Sequence, residues 1–181
     1  MQLIRKTTVV DKDGLERALV RMAHQVIEKN RNLEDVCLIG VKTRGVYLAD
    51  MLAKNIRSIT GCDLPTGELD ITMHRDDIQP HADAPILNSS NIPFSVEGKT
   101  VILVDDVIFT GRTVRAAMDA VMDLGRAARI QLLVMIDRGH RELPIRADFV
   151  GKNIPTARTE VVSVKLDDPD GETGVWLCEW K

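Results

Sequence analysis

Two adjacent carboxylates, Asp105 and Asp106, follow directly on the unbroken apolar run Val101-Ile102-Leu103-Val104. A short spacer, Val107-Ile108-Phe109, separates them from Thr110-Gly111-Arg112-Thr113. A glycine-containing turn from strand to helix lines up successive backbone N–H groups, and the helix behind it adds its positive end, so together they can seat a phosphate. Thr110 and Thr113 can add hydroxyl donors and Arg112 a positive charge. Two carboxylates beside such a nest would repel a bound phosphate unless something lies between. A sugar fits that gap, its vicinal hydroxyls donating to the acids while its 5-phosphate enters the nest. A hydrated Mg2+ is the other candidate.

The elements that must position these groups can be inferred from the surrounding pattern. An apolar run without period-two alternation, rich in β-branched residues, predicts a strand buried on both faces, hence a parallel sheet with helices on either side. Val114, Met118, Val121 and Leu124 give the following helix its stripe, ending near Gly125. In open α/β sheets ligands bind outside the carboxyl ends of the strands, where the acid pair stands. Residues 36–41 (Val-Cys-Leu-Ile-Gly-Val) and 130–136 (Ile-Gln-Leu-Leu-Val-Met-Ile) are two more strands of this kind. Asp13-Gly14 opens an earlier helix with Leu15, Leu19, Met22 and Val26 on its buried face, and Leu48, Leu52 and Ile59 mark another, closed by Gly61. Repeated strand–helix alternation predicts an α/β fold with a doubly wound, mainly parallel sheet. Residues 68–73 alternate and predict a half-buried strand; residues 160–166 and 175–180 predict a hairpin across the turn Asp168-Pro169-Asp170-Gly171. Trp176, Cys178 and Trp180 fall on one face of it, with the tryptophans expected to be exposed at an interface.

A second anion site is suggested by Gly40-Val41-Lys42-Thr43-Arg44-Gly45, a basic strand-to-helix loop bounded by glycines. The two glycines have Walker A spacing, but Val46 and Tyr47 stand where Lys and Ser/Thr are required, so the P-loop reading fails. Between 74 and 98 there is no periodicity and three prolines, which predicts a functional or disordered loop, with a hairpin over part of it as the alternative. His74, Asp76, Asp77 and His81 could in principle bind a metal, although nothing fixes their geometry.

Residues 101–113 resemble the phosphoribosyl-pyrophosphate (PRPP) fingerprint of type I phosphoribosyltransferases. With residues 40–45 and the segment 137–148 (Asp-Arg-Gly-His-Arg-Glu-Leu-Pro-Ile-Arg-Ala-Asp), the chain is similar, from about Asp11 to Leu166, to the PyrR family of pyrimidine-operon regulators. The resemblance implies the type I phosphoribosyltransferase fold with a flexible loop and a small hood. It implies uracil phosphoribosyltransferase activity, uracil plus PRPP giving UMP plus pyrophosphate with Mg2+, and UMP-responsive binding of a leader mRNA hairpin. By that resemblance Asp105, Asp106 and Arg75 are the catalytic residues, Arg75 reaching the pyrophosphate from the loop. Thr43 and Arg44 hold the leaving group. Val107, Phe109, Thr110, Gly111, Arg112 and Thr113 hold the ribose phosphate, and Met135, Ile136 and Arg138 face the base. No residue is expected to ligate metal directly; Mg2+ comes with PRPP and water near Asp105 and Asp106. RNA contacts fall on the helix face of Arg17, Arg21 and His24 and on Arg141, Arg146 and Lys152. The family's pattern has a small hydroxyl residue at Val20 and tyrosines at His74 and Phe109, where this chain departs from it. Dimers or larger homo-oligomers are also implied.

A purine phosphoribosyltransferase without RNA regulation would share the PRPP loop. A phosphorelay receiver also has Mg2+-binding acids at strand ends, but its pair closes the first strand, and the Thr-Gly-x-Thr turn has no role there. The chain has 181 residues, a size expected of one domain (1–181), and a formal charge of only −3, so bulk charge does not announce nucleic acid. Three cysteines without a CxxC spacing, no apolar run near ~18 residues and a polar N-terminus predict a reduced, cytoplasmic protein with no membrane partner.

Overall fold

The structure, a computed structural model, describes residues 2–72 and 90–181. In chain order its elements are β1 (Leu3–Val10), α1 (Lys12–Lys29), β2 (Val36–Val41), α2 (Arg44–Thr60), β3 (Thr66–Leu69), β4 (Thr100–Ile108), α3 (Arg112–Leu124), β5 (Arg129–Asp137), β6 (Phe149–Asn153), β7 (Glu160–Lys165), the short helical turn α4 (Asp167–Asp170) and β8 (Gly174–Trp180). Five strands form one sheet in the order β3-β2-β4-β5-β6, every neighbour pair parallel. The other three form an antiparallel sheet, β1-β8-β7.

The unbroken apolar runs have a simple cause. Successive strand residues point to opposite faces, and here both faces are covered. Leu38, Ile102, Val104, Leu133 and Met135 join α1 and α2 in one core, while Cys37, Ile39, Val101, Leu103 and Val134 join α3 in the other. Asp11 caps α1, its Oδ1 accepting from Gly14 N at 2.8 Å, so the helix starts at Lys12, one residue earlier than predicted. The buried stripe of α2 is Leu48, Ala49, Leu52 and Ile56, whereas Ile59 is 40% exposed and Leu124 of α3 52% exposed. Both lie in the last turn of their helix, beyond the stretch that the sheet covers.

The strand predicted at 68–73 pairs earlier, as β3, because after Leu69 the Asp70 N–H donates to Ser90 Oγ instead of to a strand. Beyond it, Glu68 and Asn91 form a two-bond antiparallel bridge. β1 and β6 carry no apolar signature: β1 is polar and mostly exposed, and of β6 only Phe149 is buried. In the smaller sheet Val175 and Leu177 face the core, and the hairpin turn falls where its Asp-Pro-Asp-Gly sequence predicts. Trp176 is not exposed as expected; the Arg5 guanidinium lies 4.2 Å over its ring and leaves it half-buried, while Trp180 remains 53% exposed.

Candidate functional site

The acid pair lies in the carboxyl-terminal half of β4, the middle strand of the parallel sheet, and Gly111 turns the chain into α3. Asp105 is 7% exposed and its Oδ1 accepts from Asp106 N at 2.9 Å; Asp106 Oδ1 accepts from Val107 N at 2.8 Å. Burial pushes the Asp106 carboxyl above its ordinary range, opposed by its hydrogen bond with Asp105 and by the positive charge of Arg44. Gly111 has φ 95°, a left-handed conformation that glycine adopts without strain. Gly111 has no side chain to cap α3, and of the helix's first N–H groups that of Arg112 donates to Thr110 Oγ1 at 3.4 Å. A cleft of about 340 Å³ is lined by residues 107–114 and Glu142. The Arg112 charge is paired with Glu142, Nε to Oε2 at 2.9 Å, so the phosphate seat is built chiefly from amides and hydroxyls.

A second cleft of about 460 Å³ adjoins it, sharing Val107 and Thr113. Its walls include Lys42, Thr43, Arg44, Asp70, Asp105 and Asp106, so the two predicted anion loops and the acid pair open on one continuous groove. Two glycines let the loops approach. A Cβ on Gly45 would stand 2.3 Å from Val104 O, and one on Gly40 would stand 2.4 Å from Val46 Cα. Arg44 has a partner that no local pattern announces. Its Nε and Nη2 donate to Asp170 of α4 at 3.0 and 2.7 Å, which raises Arg44 above and holds Asp170 below their ordinary ranges. Arg75, with His74, Asp76, Asp77 and His81, lies outside the described residues. Among the described residues no three His, Cys, Asp or Glu side chains cluster as a metal site.

On the base side, Met135 and Ile136 are fully buried inside β5, between β4 and β6. Met135 also lines the separate cleft between β1, α1 and β6, and neither residue lines the two clefts at the acid pair. Arg138 follows the strand, 6% exposed, with its guanidinium carbon 4.0 Å over the Phe109 ring. The segment after it folds back on the phosphate turn. Glu142 N and Leu143 N both donate to Thr110 O, at 2.9 and 3.2 Å, and Leu143 and Ile145 pack over Gly111.

The basic residues divide into two groups. Arg17, Arg21 and Lys152 line a separate open cleft of about 600 Å³ between β1, α1 and β6, with His24 exposed further along α1. Arg21 Nη2 donates to Gly151 O at 2.5 Å, and Lys152 Nζ donates to Val9 O at 3.0 Å. Arg146 is exposed on the segment before β6. Arg141 is turned inward, bonded to Phe109 O at 2.8 Å, Ile145 O at 3.0 Å and Asp137 Oδ2 at 2.5 Å. Its charge is therefore tied into the fold, unlike that of Arg17 or Arg146. Thr156, which braces Arg138, carries no local signal in the sequence, and Asp170 is marked there only as part of a turn.

Comparison with known proteins bears on this geometry. The model of the phosphoribosyl transferase domain family matches residues 7–169. The chain is 56% identical over 174 residues to Bifunctional protein PyrR of Pelotomaculum thermopropionicum, covering 96% of each chain. It is 54% identical over 174 residues to Bifunctional protein PyrR of Deinococcus deserti, covering 96% of this chain and 95% of that one. Among solved structures, a hypoxanthine-guanine phosphoribosyltransferase of Bacillus anthracis superposes with TM-score 0.74 at 16% identity, covering 99% of this chain and 100% of that one. A hypoxanthine phosphoribosyltransferase of Trypanosoma cruzi gives TM-score 0.75 at 17% identity, covering 96% and 95%. At those identities the structures establish the fold alone.

Proposed function

This chain belongs to the PyrR family of bifunctional proteins and has the type I phosphoribosyltransferase fold, and from that premise we propose that it joins uracil to the phosphoribosyl group of PRPP and regulates pyrimidine gene expression by UMP-responsive RNA binding. The observation that carries the enzymatic reading is the continuous groove in which Asp105 and Asp106 lie between two anion loops. That spacing suits a pentose bearing phosphate at one end and pyrophosphate at the other. The acid pair also lies on β4, which follows β2 and β3 of the same sheet in the chain, and this sets it apart from the receiver arrangement, in which the pair closes the first strand.

In this reading the open N-terminus of α3 and the hydroxyls of Thr110 and Thr113 hold the 5-phosphate. Thr43 and Arg44 face the pyrophosphate, with Arg75 as a third donor from the loop. As the pyrophosphate leaves, the ribose gains positive charge next to Asp105 and Asp106, which favour it electrostatically and hold the vicinal hydroxyls. The bond to the departing oxygen breaks while the uracil ring nitrogen bonds to the anomeric carbon, and the nitrogen's proton is released. Carboxylates are hard oxygen donors and fit Mg2+, so Asp105 and Asp106 would hold the ion, which would supply charge neutralisation for the leaving group. In this reading Phe109, the side chain of Arg138 and backbone groups of Met135 and Ile136 face the base.

For the regulatory activity, the cleft at Arg17, Arg21 and Lys152, with His24 and Arg146 beyond it, supports an electrostatic RNA surface. There is little aromatic surface for stacking, so recognition is by phosphate contacts and hydrogen bonds to splayed loop bases. The RNA is a pyrimidine-operon leader hairpin and the compartment the cytoplasm; among the described residues no helix is long and apolar enough to cross a membrane. Trp180 pairs with Leu3 at an exposed corner of the smaller sheet, which supports a homodimer or larger homo-oligomer. One preparation tests both activities: PRPP consumption with Mg2+ and each nucleobase in turn, then a gel shift of the leader RNA with and without UMP. Uracil-dependent turnover and a UMP-strengthened, salt-sensitive shift are expected. Turnover with a purine only, or no salt-sensitive RNA binding in either condition, refutes the corresponding half.

A further inference from the structure

We infer that Thr156 is a positioning residue for base recognition: its hydroxyl fixes the Arg138 guanidinium over Phe109 so that Nη1 meets a carbonyl edge of the pyrimidine. The inference rests on the uracil-transfer reading and adds a residue outside every motif that carried it.

Thr156 lies beyond the end of β6, in the segment that runs alongside the carboxyl end of β5. Its Oγ1 accepts from Arg138 Nε at 3.2 Å and donates to Arg138 O at 3.1 Å. One hydroxyl therefore uses its lone pair and its proton on the same residue and ties the side chain to its own backbone. The next peptide continues the clasp, Arg138 Nη2 donating to Ala157 O at 3.0 Å. That peptide is itself held, since Ala157 N donates to Glu160 Oε2 at 2.8 Å and Lys6 Nζ binds the other oxygen of Glu160 at 2.7 Å. The imidazole Nε2 of His140 lies 2.5 Å from Thr156 O, and the His140 ring sits edge-on to Phe109 with centroids 6.0 Å apart.

The outcome is an almost fully buried arginine with its plane held near an aromatic ring and its in-plane donors aimed in a fixed direction. Burial lowers the Arg138 pKa while the Glu160 charge opposes that, so the charge is retained at a cost in solvation. Of its five N–H groups, Nε and one on Nη2 are satisfied by the clasp. Nη1 has no partner among the described residues, yet it is not among the buried atoms left without one, so it remains open to a ligand. A long side chain ordered before the ligand arrives does not lose that freedom on binding. Uracil offers two carbonyl oxygens on a planar ring, which suits one fixed in-plane donor beside an aromatic face.

The test separates positioning from simple bracing. Thr156→Val keeps the β-branched shape and removes the hydroxyl. The expected result is a rise of about fivefold to tenfold in KM for uracil, the scale of one lost hydrogen bond, with KM for PRPP within about twofold. Thr156→Ser, which keeps the hydroxyl, should restore uracil KM. Arg138→Lys should raise uracil KM as well, and the double variant should lose little more than Arg138→Lys alone, because Thr156 acts through Arg138. Should Thr156→Val not fold, Thr156→Ala carries the same comparison. An unchanged uracil KM in a folded Thr156 variant overturns the inference. So does an equal rise in both KM values that Ser does not rescue, which is what a merely structural brace predicts. No uracil-dependent PRPP consumption by the unaltered protein is a different failure, that of the transfer reading itself.

Discussion

Replacing Gly45 by alanine should damage catalysis far more than stability. Gly45 begins α2 directly against the end of β4, and a Cβ there would stand 2.3 Å from Val104 O, 3.2 Å from Val104 C and 3.3 Å from Asp105 Cα. All three are backbone atoms, so no rotamer change relieves the contact. An ordinary contact is ~3.5 Å, so helix and strand must separate by roughly 1 Å. Overpacking of this kind costs about 1–3 kcal/mol, and the better helix propensity of alanine returns about 1 kcal/mol. A net loss near 1 kcal/mol lowers Tm by about 2–4 °C in a chain of this size. Catalysis is less tolerant. The same separation moves Thr43 and Arg44 away from Asp105 and Asp106, and a displacement of about 1 Å costs on the order of 10²-fold. The assay is kcat/KM from uracil-dependent pyrophosphate release, with Tm measured on the same samples. A folded Gly45→Ala protein with kcat/KM within twofold of the parent would refute the claim that the two loops act at fixed separation.

Two further perturbations probe the site and the smaller sheet. Asp106→Asn keeps the shape of the carboxylate and removes its charge, and should lower kcat by about 10²–10³ while leaving Tm unchanged or higher, because burial already disfavours that charge; full activity, or a large fall in Tm, would contradict the assignment. Glu172 is held down to about 2 by its hydrogen bond from Arg5 and then by Lys165, so its contribution to stability is present above its ordinary value of 4.5 and disappears as pH falls from there toward 2. Chemical denaturation of Glu172→Gln across that window should show a shallower decline than the parent, and parallel curves would remove the linkage.

What could be read from the sequence follows physical lines. β2, β4 and β5 were legible because helices cover the parallel sheet on both faces, which forces continuous apolar runs such as residues 101–104. The acid pair and the Thr-Gly turn were legible because phosphate seating needs those residue types in that order. β1 and β6 were not, since neither owes its place to a buried stripe: β1 is held by pairing with β8, and β6 by a close approach in which a Cβ on Gly151 would lie 2.5 Å from Met135 O. The Arg44–Asp170 pair joins residues 126 positions apart and leaves no local pattern. Arg141 illustrates the limit most clearly. Its type and basic surroundings suggest an outward charge, and only the three-dimensional course of the segment reveals the carbonyls that turn it inward.

The stretch from Arg138 to Ile145 grips the base side with its first residue and lies across the phosphate turn with its later ones, through the twin bonds to Thr110 O. In the proposed site a single ribbon of backbone would thus touch both extremities of a bound nucleotide at once. Ribose 5-phosphate alone would press on one end of that ribbon and free uracil on the other, and neither would load it along its length. In the proposed site, a nucleotide and its two separated halves would therefore be unequal signals, even at concentrations where each half filled its own subsite.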